Sequence, residues 1–202
     1  MTNDLRPPII MVADGQYYNA VDPNPGLFTL ENIAISTGNT CRWGGHIGKP
    51  AAVGLSVTHY SVAEHQVLGA QYYLHNDDYV RAKLFMMHDA LEPYIGGDIP
   101  TPQKVHMPAP IEWEKIGQER LLEAFDLEGD FSLIKDADKR ICRNESICLF
   151  DDRQEWLHNI EPLCFETGFD RTMIRLKRWT AEQAANEWYQ MAHKLELKNK
   201  YV

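Results

Sequence analysis

Basic residues are in deficit: 20 Lys and Arg stand against 29 Asp and Glu, giving a formal charge of −9. A protein that holds long nucleic acid by its phosphates needs a basic face, so that class is excluded. A small anion is not, because one local cation can reverse the field. Cysteine is sparse as well. Cys41, Cys142, Cys148 and Cys164 form no CxxC pair, which reads as reduced thiols of a cytosolic protein rather than a disulfide scaffold. No apolar run approaches the ~18 residues of a membrane span. The opening MTNDLRPPII has no basic start followed by a long apolar core, so no signal peptide is expected and the location is read as cytoplasmic. There is no repeat and no low-complexity tract. What remains is a chain of 202 residues, 44% hydrophobic and 24% charged, the profile of one ordinary soluble domain or two very small ones. At this length about 70% of the unfolded surface can be buried, so neither a disulfide nor a metal is needed simply to fold. Eight histidines in an acidic chain are worth locating.

Ile9–Val12, Asp14-Gly15 and Tyr17-Tyr18 read as strand, turn and return strand. Asp22-Pro23-Asn24-Pro25-Gly26 then breaks the chain, and a short helix is expected over 29–36. Six glycines and prolines make 38–60 loop-rich. Ser61-Val62-Ala63-Glu64 has the form of a capping box and opens a helix to about His75. Asp77 or Asp78 caps the next helix, which is apolar almost all round through Leu91 and is expected to end before Pro93. After the turn-rich stretch 95–102, amphipathic helices are expected over 110–126, with Ile111, Ile116, Leu121, Leu122 and Phe125 inward, and over 132–158. Asp151-Asp152 reads as a solvated face of the latter. Thr180-Ala181-Glu182-Gln183 is a second capping-box pattern and opens a terminal amphipathic helix over 181–197. The expectation is an all-α single domain with a small N-terminal β-hairpin: a β-element over 1–28, a helical core over 29–160 and a helical extension over 161–202.

Ionisable residues fall on the inward faces of these helices. His65 lies one turn after a helix cap, on a face with Leu68. His88-Asp89 interrupts the all-apolar helix, where an unpaired charge is costly. Asp138 lies between Ile134 and Ile141 on the core side of its helix. A lone histidine on an apolar face is usually a hydrogen-bonded core residue, and a lone inward aspartate usually pairs with arginine or caps a helix. Together, two imidazoles and two carboxylates are explained by one divalent cation.

These residues also carry a resemblance. Tyr60–His65, Met87–Glu92, Gly97–Lys104 and Ile134–Asp138, with Cys41-Arg42-Trp43-Gly44-Gly45-His46 upstream, are similar to the motifs of the HD-domain phosphohydrolases. Within that family they resemble the branch of bacterial 5′-deoxynucleotidases and related phage enzymes. The resemblance implies an HD-type helical fold with His65, His88, Asp89 and Asp138 as ligands of one divalent ion (Zn, Mn, Co or Fe), Glu92 and Asp98 as catalytic carboxylates, Arg42 clamping phosphate, and Trp43 packing on sugar or base. Lys104 is a candidate second cation for the substrate. His46 and His59 are structural, phosphate-touching, or ligands of a possible second metal. Two departures are visible: a long connection from Arg42 to His65, including 47–55, and two glycines, Gly96-Gly97, where the family pattern has one before the aspartate. The expected function is removal of phosphate from deoxynucleoside monophosphates. The alternatives are a deoxynucleoside triphosphate hydrolase, a silent nucleotide-binding HD module and a helical interaction protein with a structural metal. The expected partner is a small deoxynucleotide, with no long nucleic acid and no membrane. A homodimer or higher homo-oligomer is expected from the Trp-bearing terminal helix.

Overall fold

The computed structural model describes residues 8–50 and 55–202. Residues 1–7 and 51–54, the start of the expected β-element and the middle of the long Arg42–His65 connection, lie outside the described residues. The chain is predominantly helical, with a small antiparallel hairpin at its N-terminal end: β1 (Ile9–Met11) pairs with β2 (Tyr17–Asn19), Ile10 opposite Tyr18. Asp14 closes the turn by accepting from Gln16 and from Asn32 on α1 (Leu30–Asn39). Tyr18 turns inward and packs against Phe28 and Tyr94.

Helix α2 (Val62–His75) is the centre of the molecule. Every residue from Val62 to Ala70 is buried, and the helix packs against α3 (Tyr79–Met87), α7 (Ala181–Lys194), α1 and α6 (Lys135–Leu149). Gly69 permits the α2–α3 contact: a β-carbon there would lie 2.0 Å from the Phe85 ring. The helices start where their caps say. Ser61, Asp78 and Thr180 each accept from a first-turn N–H, and at Thr180 the full box with Gln183 is present. At Ser61 it is not. The Glu64 carboxylate accepts instead from the backbone N–H groups of Lys177, Arg178 and Trp179 at 2.6–2.9 Å, which ties α2 to the approach to α7.

Other expectations are corrected. Helix α3 stops at Met87, and His88-Asp89 lies on the turn that follows, not mid-helix. The His88 ring donates to the Phe85 carbonyl at 2.8 Å, and the backbone tightens into three-residue turns from Ala90 onward. Helix α5 (Pro108–Ala124) buries Leu121, but Ile111 is exposed. Helix α6 ends at Leu149 rather than near 158. Asp151 and Asp152 follow with φ of 51° and 63°, so they form a left-handed turn and not a helix face. Residues 161–202 are not all helical: β5 (Cys164–Thr167) and β6 (Asp170–Met173) form a hairpin before α7. Buried Asn144 on α6 anchors it, bonding Leu163 through both backbone groups and Ile174 through its carbonyl. In the long connection, β3 (Gly48–Pro50) pairs with β4 (Leu55–Val57). A short helix, α4 (Thr101–Lys104), follows the glycine turn. The cysteines are free thiols. No helix of the described residues is long and apolar enough to cross a membrane.

Candidate metal centre and cleft

Three segments meet beneath one cleft. Helix α2 brings His65, the turn after α3 brings His88 and Asp89, and the first turn of α6 brings Asp138. His65 Nε2 lies 3.3 Å from His88 Nε2 and 3.2 Å from Asp138 Oδ1. His88 Nε2 lies 3.2 Å from Asp89 Oδ2 and 3.6 Å from Asp138 Oδ1. His65, His88 and Asp89 offer ligand atoms that all fall within 4.8 Å of one another, so this group can hold a metal ion. Ligand atoms at zinc-like distances and tetrahedral angles lie roughly 3.3 Å apart, which matches these separations. The Phe85 ring wedges against both imidazoles and fixes their spacing.

The hydrogen bonds behind the imidazoles sharpen the fit. His65 Nδ1–H donates to Glu145 Oε1 at 2.7 Å, and His88 Nδ1–H donates to the Phe85 carbonyl. Both rings therefore direct an Nε2 lone pair into the same space as two carboxylates. Such a set repels itself unless a cation, or protons, stand between its members. The electrostatics express this. Burial opposes the charged form of His88, yet Asp89 and Asp138 hold its pKa well above the ordinary imidazole value. His65 is raised too: burial and Arg42 oppose its charged form, and Glu145 and Asp138 overcome them. Against the cost of burial, His88 and Arg42 hold Asp89 well below the usual carboxylate range, and the two imidazoles do the same for Asp138.

Above the centre opens a cleft of about 450 Å³ lined by Arg42, Asp89, Glu92, Asp98, Lys104 and Asp138 on its charged side. Arg42 is buried and sits among carboxylates. Its Nη1 is 2.8 Å from Asp89, 3.5 Å from Asp98 and 3.9 Å from Glu92, and its Nη2 is 3.8 Å from Glu145. Burial first, then Asp89 and Asp98, pushes the Glu92 carboxyl well above its ordinary value, and Glu92 Oε2 makes no hydrogen bond among the described residues. Asp98 reaches the cleft after Gly96 and Gly97, which take φ of 117° and 109°, a turn open to glycine. Its carboxylate then accepts from the Gly44 N–H at 3.3 Å. Lys104 lines the cleft with its ammonium paired to Glu114 on α5, not as a free cation. His46 lines the cleft and is exposed. His59 bonds the Gly38 carbonyl instead, and no second ligand group forms around either residue among the described residues.

Trp43 holds a left-handed backbone, φ 59°, at a cost of about 1–2 kcal/mol for a non-glycine residue. It is kept there by its indole N–H, which donates to Glu145 Oε2 at 2.8 Å, and by the Phe150 ring. Glu145 was not anticipated from the sequence. Fully buried on α6, it also accepts from the Tyr60 hydroxyl at 3.0 Å. One carboxylate thus orients a candidate ligand, His65, and the Arg42-Trp43 element together. The signal was present, since Asp138, Ile141 and Glu145 at i, i+3 and i+7 share one helical face.

No protein-family model matches the chain, and no curated protein matches it. The motif resemblance and the geometry of the cleft therefore carry the functional reading between them.

Proposed function

We propose that the chain is a metal-dependent phosphohydrolase of deoxynucleotides, acting first on deoxynucleoside 5′-monophosphates. The observation that carries the reading is the convergence of His65, His88, Asp89 and Asp138 beneath a cleft that also holds Arg42, Glu92 and Asp98. The two imidazole nitrogens and two carboxylates suit Zn, Mn, Fe or Co. When bound, such an ion supplies Lewis-acid chemistry and lowers the pKa of water toward neutrality.

The protein's own groups do the rest. Arg42 offers a planar fork of N–H donors for phosphate oxygens. Glu92 and Asp98 both lie near Arg42 Nη1 and are the candidates to take a proton from the attacking water and return one to the leaving oxygen. Glu145 and the Phe85 carbonyl hold the imidazoles in the tautomer that ligates.

The test is a panel of deoxynucleoside mono-, di- and triphosphates with Mn²⁺, Co²⁺ and Zn²⁺, reading the product. Phosphate from monophosphates is expected. Triphosphate released from triphosphates would move the reading to a triphosphohydrolase, and binding without turnover would move it to a silent module. Glu92→Ala and Asp98→Ala should abolish turnover with metal retained, whereas His88→Ala and Asp89→Ala should lose the metal and part of the stability. Unchanged metal content in the latter pair would sink the ligand set.

A further inference from the structure

The cleft has two chemically distinct sides. One carries the charges. The other is formed by Trp43 together with Phe150, Gln154 and Trp156 from the segment after α6. Trp43 lies 5.2 Å from Phe150 and 6.3 Å from Trp156 between ring centroids, so the three rings make one continuous aromatic wall. Trp156 is 55% exposed and lines the cleft, so part of its ring is open to a ligand there. Gln154 accepts from the Trp156 indole N–H at 3.2 Å, while its amide nitrogen makes no hydrogen bond among the described residues.

The wall is held in place. The two left-handed aspartates turn the chain sharply off α6. Asp152 is then pinned by both terminal nitrogens of Arg143, its backbone N–H bonds the Ser146 carbonyl at 3.0 Å, and His158 bonds its carbonyl at 2.7 Å. Leu157, fully buried, anchors the short 3-10 turn that carries Trp156. A pinned segment presenting an exposed indole and an unengaged amide to a cleft is a preorganised recognition surface.

A ligand that fits both sides has an anionic end and a flat aromatic end with hydrogen-bonding groups on its rim. We propose that Phe150, Gln154 and Trp156 form the nucleobase subsite of this cleft. Trp156 stacks on the base and Gln154 meets its edge. The inference rests on the phosphohydrolase reading and names the part of the substrate that selects for nucleotides over simple phosphate esters.

The experiment compares the full chain with Trp156→Ala, Trp156→Phe and Gln154→Ala. It uses the four deoxynucleoside monophosphates and base-less deoxyribose 5-phosphate, each with Mn²⁺, and follows both turnover and equilibrium binding by calorimetry. Loss of base stacking in Trp156→Ala should weaken nucleotide binding and raise KM about tenfold or more, leave kcat within about twofold, and spare the base-less ester. Trp156→Phe should restore most of the loss, and Gln154→Ala should change the ranking among the bases. Equal losses for nucleotide and base-less ester, or no loss for either, would overturn the subsite. Binding decides it even without turnover, whereas absence of turnover on every ester in the unmodified chain overturns the hydrolase reading instead.

Discussion

Replacing Glu145 by glutamine probes how the metal centre and the Arg42-Trp43 element are joined. The carboxylate accepts from His65 Nδ1 and the Tyr60 hydroxyl on Oε1, and from the Trp43 indole on Oε2. An amide has one acceptor atom and one donor group. With its oxygen toward His65, the NH₂ faces the Trp43 N–H. Reversed, it faces the His65 N–H. The side chain is fully buried, so water cannot relieve either clash. One buried donor left unsatisfied costs about 1–3 kcal/mol, which in a domain of this size lowers the melting temperature by roughly 2–12 °C. Loss of an outer partner of a ligating imidazole typically weakens metal affinity about 10–100-fold. The two orientations separate by assay: chelator competition reads the His65 side, and affinity for nucleotide reads the Trp43 side. A variant that melts with the parent chain and matches its metal and nucleotide affinities would refute the hub role of Glu145.

Gly69→Ala would drive a methyl group into the Phe85 ring, an overpacking cost of about 1–3 kcal/mol or more. Because that ring also touches His65 and His88, thermal stability and metal affinity should fall together, and a drop in stability alone would show that Phe85 does not space the ligands. Metal binding at neutral pH should release protons, since Asp89 and Asp138 raise the His88 pKa and favour its protonated form in the metal-free chain. Calorimetric enthalpies that do not vary with buffer ionisation would contradict this. In the metal-free chain the His88 contribution to stability is full below the ordinary imidazole pKa and is lost as pH rises through the folded value, while those of Asp89 and Asp138, with lowered values, are lost as pH falls through theirs. Glu64→Ala strips the acceptor from three backbone N–H groups and should cost about 1–3 kcal/mol. Hydrogen exchange should rise at 177–179 with metal affinity unchanged, and a change confined to the metal centre would count against the clamp.

Local patterns made much of the fold legible. Capping residues at Ser61, Asp78 and Thr180 and the turn at Asp14-Gly15 depend on neighbours within a few positions, and each element begins where they place it. Endings were harder to read, because they are decided by competition. His88 turns its ring onto the Phe85 carbonyl, and α6 stops where the Asp152 side chain reaches back to Arg143 rather than continuing the helix. The hairpin at 164–173 escaped because its anchor, Asn144, lies about twenty positions upstream. His65, His88, Asp89 and Asp138 stood out as charged groups on apolar faces, and the structure brings them together. Glu64 and Glu145 are equally buried carboxylates, but their partners are distant in sequence, so no short motif reveals which donors they serve.

The acidity of the chain and an anion-binding cleft are compatible only through local charge. Arg42 lies closest to Asp89, at 2.8 Å, within a group of several carboxylates. It is shared by Asp89, Asp98, Glu92 and Glu145, while Lys104 is committed to Glu114. With Asp138 added, carboxylates outnumber free cations severalfold around the floor of the cleft. A phosphate dianion approaching that floor meets a field of its own sign. Protons on His65 and His88 offset part of it, but they occupy the Nε2 atoms at the centre of the ligand set. Were a divalent cation held by His65, His88, Asp89 and Asp138, Asp89 would be shared between that ion and Arg42, to which it now lies at 2.8 Å. The guanidinium fork would then be available to an anion. The donor set that looks over-acidic by composition would in that case make anion recognition conditional on the metal.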